Sequence, residues 1–96
     1  MKPSEILKLK REFIRSTISC YPVENPRIFG SVARGEDTEE SDLDILVDTL
    51  PECSLFHLGG LYEDLAQGLG INISLCTSSG LQAAMLERVL KDAIHL

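Results

Sequence analysis

Positive charge is scarce in the middle of this sequence. No lysine or arginine occurs between Arg34 and Arg88, and the chain has nine basic residues against fifteen acidic ones, a formal net charge of -6. Because nucleic-acid binding rests largely on cationic contacts to phosphate groups, a long nucleic acid is an unfavourable partner for such a surface. Eight of the acidic residues lie between Glu36 and Glu52, where a divalent cation would be well accommodated.

Paired cysteines and long apolar runs are also missing. The three cysteines are widely spaced and form no C-x-x-C motif, which excludes the usual zinc and dithiol redox sites. Free thiols are typical of a reducing compartment. No apolar run is long enough for a membrane span, and the charged N-terminus has no apolar core of the kind found in signal peptides. The sequence therefore predicts a soluble cytoplasmic protein without a membrane partner.

The length and composition predict one compact domain. The 96 residues are 44% hydrophobic and 25% charged, which is typical of a folded soluble protein. We expect residues 1–96 to form a single domain, since a second hydrophobic core has no room. A domain of this size buries a modest fraction of its surface, so a homodimer or another partner could add stability.

The spacing of apolar residues predicts three helices and three strands. Their order along the chain is helix, strand, strand, helix, strand, helix. The segments are 4–19, 27–29, 42–47, 54–69, 71–76 and a last helix that begins after Ser78 or Ser79. A helical turn at 31–34, ended by Gly35, follows the first strand. This order predicts an α+β (α/β-like) fold class with a small mixed β-sheet and helices packed mainly on one face.

Asp42 and Asp44 are the clearest candidates for chemistry. Two residues apart on a strand, they point to the same face with Cα atoms about 6.5 Å apart. Carboxylates that converge without a counter-charge repel each other, and a divalent metal ion resolves the conflict. Mg²⁺ binds to one or two carboxylates together with the phosphates of a substrate. We therefore predict a metal site at Asp42 and Asp44, although a solvent-facing edge strand would give the same pattern.

Gly30 and Ser31 form a candidate phosphate site. Gly30 has no Cβ, so its backbone can approach a ligand closely, and the N–H groups that follow it would face an anion. The hydroxyl of Ser31 is a further donor to a phosphate oxygen. Arg34 can contact the phosphates or pair with the acidic loop that follows it. An ordinary turn between a strand and a helix would also explain Gly30.

In combination, these motifs resemble those of a known family. Gly30-Ser31, ten intervening residues and the pair Asp42-x-Asp44 resemble the motif of minimal nucleotidyltransferases in the polymerase-β superfamily. The flanking Ala33-Arg34-Gly35 and Ser41 are similar to that family as well, and the resemblance extends from Arg27 through the last helix. The joint pattern is fairly specific, while either half alone is weak.

The resemblance implies a fold, a metal site, a nucleotide site and a reaction. The fold is the nucleotidyltransferase fold, and the catalytic, metal-binding residues are Asp42 and Asp44, with Mg²⁺ as the cofactor. ATP or another nucleoside triphosphate is the implied substrate. Its binding residues are Gly30, Ser31, Arg34 and Ser41. The implied reaction moves a nucleoside monophosphate, AMP by preference, to a hydroxyl acceptor.

Ser74 departs from the family pattern. The family usually has a third carboxylate on the strand after the long helix, and the alignment of 71–76 places Ser74 at that position. A serine is a poor ligand for Mg²⁺ and cannot act as the base for the acceptor hydroxyl. Asp48 lies about 13 Å from Asp44 on an extended strand, and Asp64 lies on a helix, so neither is an obvious replacement.

Two functions from different classes remain open. The chain is either an active nucleotidyltransferase, whose acceptor is on a partner protein or a small molecule, or a weak or silent relative that acts by binding. The resemblance implies that such small chains often work as the antitoxin of a toxin–antitoxin pair with a helical HEPN-type partner. The missing carboxylate favours binding of the partner without catalysis, whereas the intact Asp42 and Asp44 favour catalysis.

Overall fold

A four-stranded mixed sheet lies at the centre of the structure, a computed structural model that describes all 96 residues. The regular elements are α1 (Pro3–Ser19), β1 (Val23–Phe29), α2 (Gly30–Arg34), β2 (Leu43–Thr49), α3 (Leu55–Leu69), β3 (Ile73–Thr77), the 3₁₀ turn Ser78–Gly80, α4 (Ala83–Asp92) and β4 (Ile94–His95). None of the helices combines the length and the apolar composition that crossing a bilayer would need.

The strand order explains why the sheet is mixed. The strands lie in the order β3-β2-β1-β4, and β1 is antiparallel to both of its neighbours. β2 and β3 are parallel, and α3 is the crossover that joins them. A parallel pair needs such a long connection, because a tight turn joins only antiparallel strands. The prediction of an α+β fold with a small mixed sheet is confirmed.

α1 and α3 cover one face of the sheet. From β2, Leu43, Ile45 and Val47 are fully buried on this face, as the alternation in 42–47 predicts. They belong to one apolar cluster with residues of both helices: Leu7, Ile14, Ile18, Leu61, Leu65 and Leu69. Full burial of each large apolar side chain contributes about 1.5–3 kcal/mol. These two helices therefore pack on one face, while the opposite face of β2 has Asp44 and Asp48 on either side of the fully buried Leu46.

β1 is longer than the sequence-based prediction. It begins at Val23 rather than at residue 27, because a shift in register between Glu24 and Arg27 accommodates Pro26 within the strand. Asn25 has a φ of 57°, in the left-handed region that asparagine tolerates better than most residues. The Asn25-Pro26 pair marks an irregularity within the strand rather than its boundary.

β4 is missing from the sequence-based prediction altogether. Ile94 and His95 pair with Ile28 and Arg27, and the N–H of Leu96 donates to the Pro26 carbonyl at 3.2 Å. Two residues are too few to show any alternation, so only a contact that is distant in sequence defines this strand.

Asp37 anchors the acidic loop to the start of α1. Its carboxylate accepts a hydrogen bond from the Ser4 N–H at 2.9 Å, and only 8% of the residue is exposed. Asp37 is thus the buried member of an otherwise exposed acidic loop, because the free N–H groups and positive dipole end of a helix attract a carboxylate. Burial acts to raise the pKa of Asp37, but hydrogen bonds from Ser4 outweigh it and the pKa is lowered.

Candidate functional site

A glycine turn joins β1 to α2 at one edge of the site. Gly30 has a φ of 73°, and the short helix that follows ends at Gly35, which also has a φ of 73°. The N–H of Gly35 donates to the backbone carbonyl of Val32 at 3.1 Å, and the N–H of Glu36 donates to the backbone carbonyl of Ser31 at 2.8 Å. The predicted turn at 31–34 and its glycine terminator are confirmed, and Ser31 is the second residue of α2.

The carboxylate of Asp44 lies against this turn. Asp44 is directly opposite Phe29 in the antiparallel register of β1 and β2. A Cβ atom built on Gly30 would be only 2.1 Å from Oδ2 of Asp44, so no other residue fits at position 30 without moving the carboxylate. Glycine is therefore favoured here both for its positive φ and for this close approach.

Ser74 lies beside Asp44 on the same face of the sheet. The two residues are opposite each other in the parallel register of β2 and β3, which confirms the predicted position of Ser74. Ser74 is half-buried, and its hydroxyl is 3.9 Å from the sulfur of Cys76. The residue predicted to occupy the position of the third carboxylate thus lies beside Asp44.

Two carboxylates lie near each other at the start of β2. Asp42 lies one residue before the strand and is exposed, while Asp44 is half-buried. Burial raises the pKa of Asp44, and the charge of Asp42 raises it further; the Ser74 hydroxyl and the charge of Arg34 act in the opposite direction. The net result is a raised pKa, mainly because burial disfavours the charged form of the carboxyl group.

The other nearby aspartates are engaged elsewhere. Asp48 forms an ion pair with Arg27 at 2.9 Å and accepts a hydrogen bond from the Ser78 hydroxyl at 2.6 Å. Asp64 accepts a hydrogen bond from the hydroxyl of Tyr21. No cluster of three or more His, Cys, Asp or Glu side chains suited to a metal ion occurs in the structure. That neither Asp48 nor Asp64 replaces the third carboxylate stays a prediction, which these contacts support.

Arg34 and Ser41 both interact with other residues of the chain. Nε of Arg34 is 2.8 Å from Glu36, and Nη1 is 3.3 Å from Asp92 at the end of α4. Of the two roles predicted for Arg34, the structure thus displays the ion pair. The hydroxyl of Ser41 accepts a hydrogen bond from the Thr38 N–H at 2.9 Å and closes the acidic loop. Binding of a nucleotide by either residue stays a prediction.

Comparison with known proteins identifies the family. The sequence profile of the nucleotidyltransferase domain matches residues 8–95. The chain belongs to this family. A candidate protein adenylyltransferase of Methanocaldococcus jannaschii is 34% identical over 89 residues, which cover 93% of this chain and 91% of that protein. The protein adenylyltransferase MntA of Thermococcus cleftensis is 38% identical over 69 residues, 72% of this chain and 70% of MntA.

Solved structures of nucleotidyltransferases have the same fold. A candidate minimal nucleotidyltransferase superimposes with a TM-score of 0.88 and 36% identity, covering 97% of this chain and 95% of that one. A complex of a tri-AMPylated HEPN toxin of Shewanella oneidensis with an MNT antitoxin contains a chain with a TM-score of 0.65 and 17% identity. That match covers 96% of this chain and 70% of the other, and it supports the fold alone.

Proposed function

We propose that this nucleotidyltransferase domain transfers AMP from ATP, in the presence of Mg²⁺, to a hydroxyl group on a partner protein. The observation that carries the proposal is the contact between the Asp44 carboxylate and the Gly30 turn. It brings a cation-binding group and a backbone suited to phosphate within one ligand's reach. Membership of the family supports the reaction class, and the names of the relatives support a protein acceptor.

Asp42 and Asp44 would hold Mg²⁺ together with phosphate oxygens of the nucleotide. Their donors are all oxygen, which this ion prefers, and the raised pKa of Asp44 is consistent with a site that binds a cation. When bound, Mg²⁺ balances the charge of the phosphates and of the leaving pyrophosphate. Two carboxylates neutralise one such ion, whereas a second would be poorly balanced.

The chain's own residues position the nucleotide. Gly30 lets the backbone approach the phosphates, and the Ser31 hydroxyl would donate to a phosphate oxygen. In the transfer, the acceptor oxygen forms a bond to the α-phosphorus while the bond to the bridging oxygen of the β-phosphate breaks, and pyrophosphate leaves. The proton of the acceptor passes to solvent, because the Ser74 hydroxyl is not a base at neutral pH.

The charge distribution favours a protein acceptor over a nucleic acid. Of the cations on the sheet face of the site, Arg27 is paired with Asp48, and Arg34 with Glu36 and Asp92. Few are left for the many phosphates of a polynucleotide, whose binding depends on such contacts. We propose a helical HEPN-type protein as the partner, since a nucleotidyltransferase fold is found in a complex with such a toxin.

Ser74 favours a second candidate function. The alternative is an antitoxin that neutralises its helical partner by binding, with little or no catalysis. In that case the half-buried hydroxyl at the position of the third carboxylate reflects an activity that has been lost.

One co-expression experiment separates the two functions. The chain, or its Asp42→Asn variant, is co-expressed with a short all-helical protein encoded in the neighbouring reading frame, and the partner's mass is measured. Catalysis predicts a partner heavier by AMP with the native chain and an unmodified partner with the variant. An unmodified but tightly bound partner in both cases would refute transfer and support neutralisation by binding.

Gly30→Ala should weaken Mg·ATP binding, and Gly35→Ala is its matched control. Both glycines have a φ of 73°, so each substitution should reduce the free energy of unfolding by about 1–2 kcal/mol. Only at position 30 does the added methyl group meet Asp44, whereas nothing lies within 4 Å at position 35. We expect about tenfold weaker binding for Gly30→Ala alone, measured by calorimetry. Equal losses of affinity in both variants would show that the contact with Asp44 is unimportant.

A further inference from the structure

A cavity of about 330 Å³ opens between α2 and α4, beside the Gly30 turn. It shares Gly30 with the contact to Asp44, so it adjoins the site already described. Two arginines, one from each helix, reach it, and apolar side chains form part of its wall. Its lining includes Phe29, Gly30, Arg34, Met85, Arg88 and Asp92.

The two arginines of this cavity differ in their ion pairs. Arg34 is held by Glu36 and Asp92, which between them compensate its charge. Arg88 takes part in none of the four ion pairs of the structure. It lies one helical turn before Asp92, so both face α2 from the same side of α4. The pair between Arg34 and Asp92 therefore fixes the position from which Arg88 reaches the cavity.

We propose that Arg88 binds the terminal phosphates of the nucleoside triphosphate. This inference rests on the proposed function, because it assumes that the triphosphate lies between Asp44 and the Gly30 turn. Phosphate groups that extend past Gly30 enter the cavity in which Arg88 has a charge without a partner. The planar guanidinium can donate two parallel hydrogen bonds to a phosphate, and it stays charged at any working pH.

Phe29 and Met85 form part of the apolar wall of the cavity, while Arg88 itself is exposed. Its guanidinium is therefore free to turn toward a phosphate, and solvent and salt limit the strength of the resulting ion pair. Arg88 would thus supply a second phosphate contact beside Arg34, whose Nε and Nη1 are already paired with carboxylates.

The test compares Arg88→Ala, Arg88→Lys and Lys91→Ala by calorimetry with Mg·ATP and by displacement of ATP with inorganic tripolyphosphate. Lys91→Ala is the matched control. This substitution removes one positive charge from the same helix, but Lys91 does not line the cavity. We expect Arg88→Ala to reduce the affinity for both ligands about tenfold. The affinity of Arg88→Lys should lie between those of Arg88→Ala and the native chain, and Lys91→Ala should have the native affinity. Circular dichroism verifies that each variant is folded.

Three results would overturn the inference. Native affinity in Arg88→Ala, or an equal loss in Lys91→Ala, would exclude a specific contact, and a loss for ATP without a loss for tripolyphosphate would place the contact at the nucleoside. In these cases the native chain still binds ATP, and the proposed function is unaffected. If the native chain binds neither ligand, the proposed nucleotide site fails as well.

Discussion

Ser74→Asp should raise the rate of AMP transfer by about 10²–10⁴-fold, the usual contribution of a positioned general base. Ser74 is opposite Asp44 in the register of β2 and β3, so an aspartate there would place a third carboxylate beside the other two. It could accept the proton of the acceptor hydroxyl and complete the charge balance of the site. The affinity for ATP should change little. The measurement is the initial rate of transfer from labelled ATP to the partner protein.

Ser74→Asn is the control for size and polarity. It has nearly the volume of aspartate and can form hydrogen bonds, but it cannot take up a proton at neutral pH. We expect Ser74→Asn to be no faster than the native chain. A native chain that is already fast, with no gain in Ser74→Asp, would mean that another group is the base and that the alignment of 71–76 is wrong.

Asp44→Asn should weaken the binding of Mg·ATP by at least about 100-fold. Loss of a group that merely supports a metal ligand typically costs 10–100-fold in metal affinity, and removal of a direct ligand should cost more. Asparagine preserves the shape of the side chain against Gly30, so the fold should persist. Calorimetry with and without Mg²⁺ measures the effect, and the native chain should also lose affinity when the metal is chelated.

Glu40→Gln provides the matched control for Asp44→Asn. It makes the same change from carboxylate to amide in the neighbouring acidic loop, where Glu40 is exposed. Its effect on Mg·ATP binding should be within about twofold, because an exposed charge is screened by solvent and salt. If the two variants lose affinity equally, the effect is one of overall charge, and Asp44 is not a ligand.

The site could be predicted from the sequence where its parts are local. Gly30, Ser31, Asp42 and Asp44 lie within fifteen consecutive residues, and their geometry follows from the period of one strand and the conformation of one glycine. Ser74 required a further step, since its place beside Asp44 depends on how two strands pair. The alternation of 71–76, together with the resemblance to the family, was sufficient for that step.

The contacts that were missed join distant parts of the chain. Asp37 and Ser4 are 33 positions apart, and Arg34 and Asp92 are 58 positions apart. Periodicity describes which face of an element is apolar, but it does not describe which polar groups meet across two elements. Arg88 was overlooked for the same reason, although it is the first cation after Arg34 in a long stretch without positive charge.

The hydrogen bond between Asp37 and Ser4 couples the first turn of α1 to the acidic loop that precedes β2. Helix ends at a chain terminus are among the parts of a folded protein that open most readily. Each time the first turn of α1 opens, the Ser4 N–H leaves the Asp37 carboxylate, and the loop that leads to Asp42 loses its anchor. Opening of the first turn of α1 would therefore loosen the segment that enters β2, although α1 packs against the face of the sheet opposite Asp44.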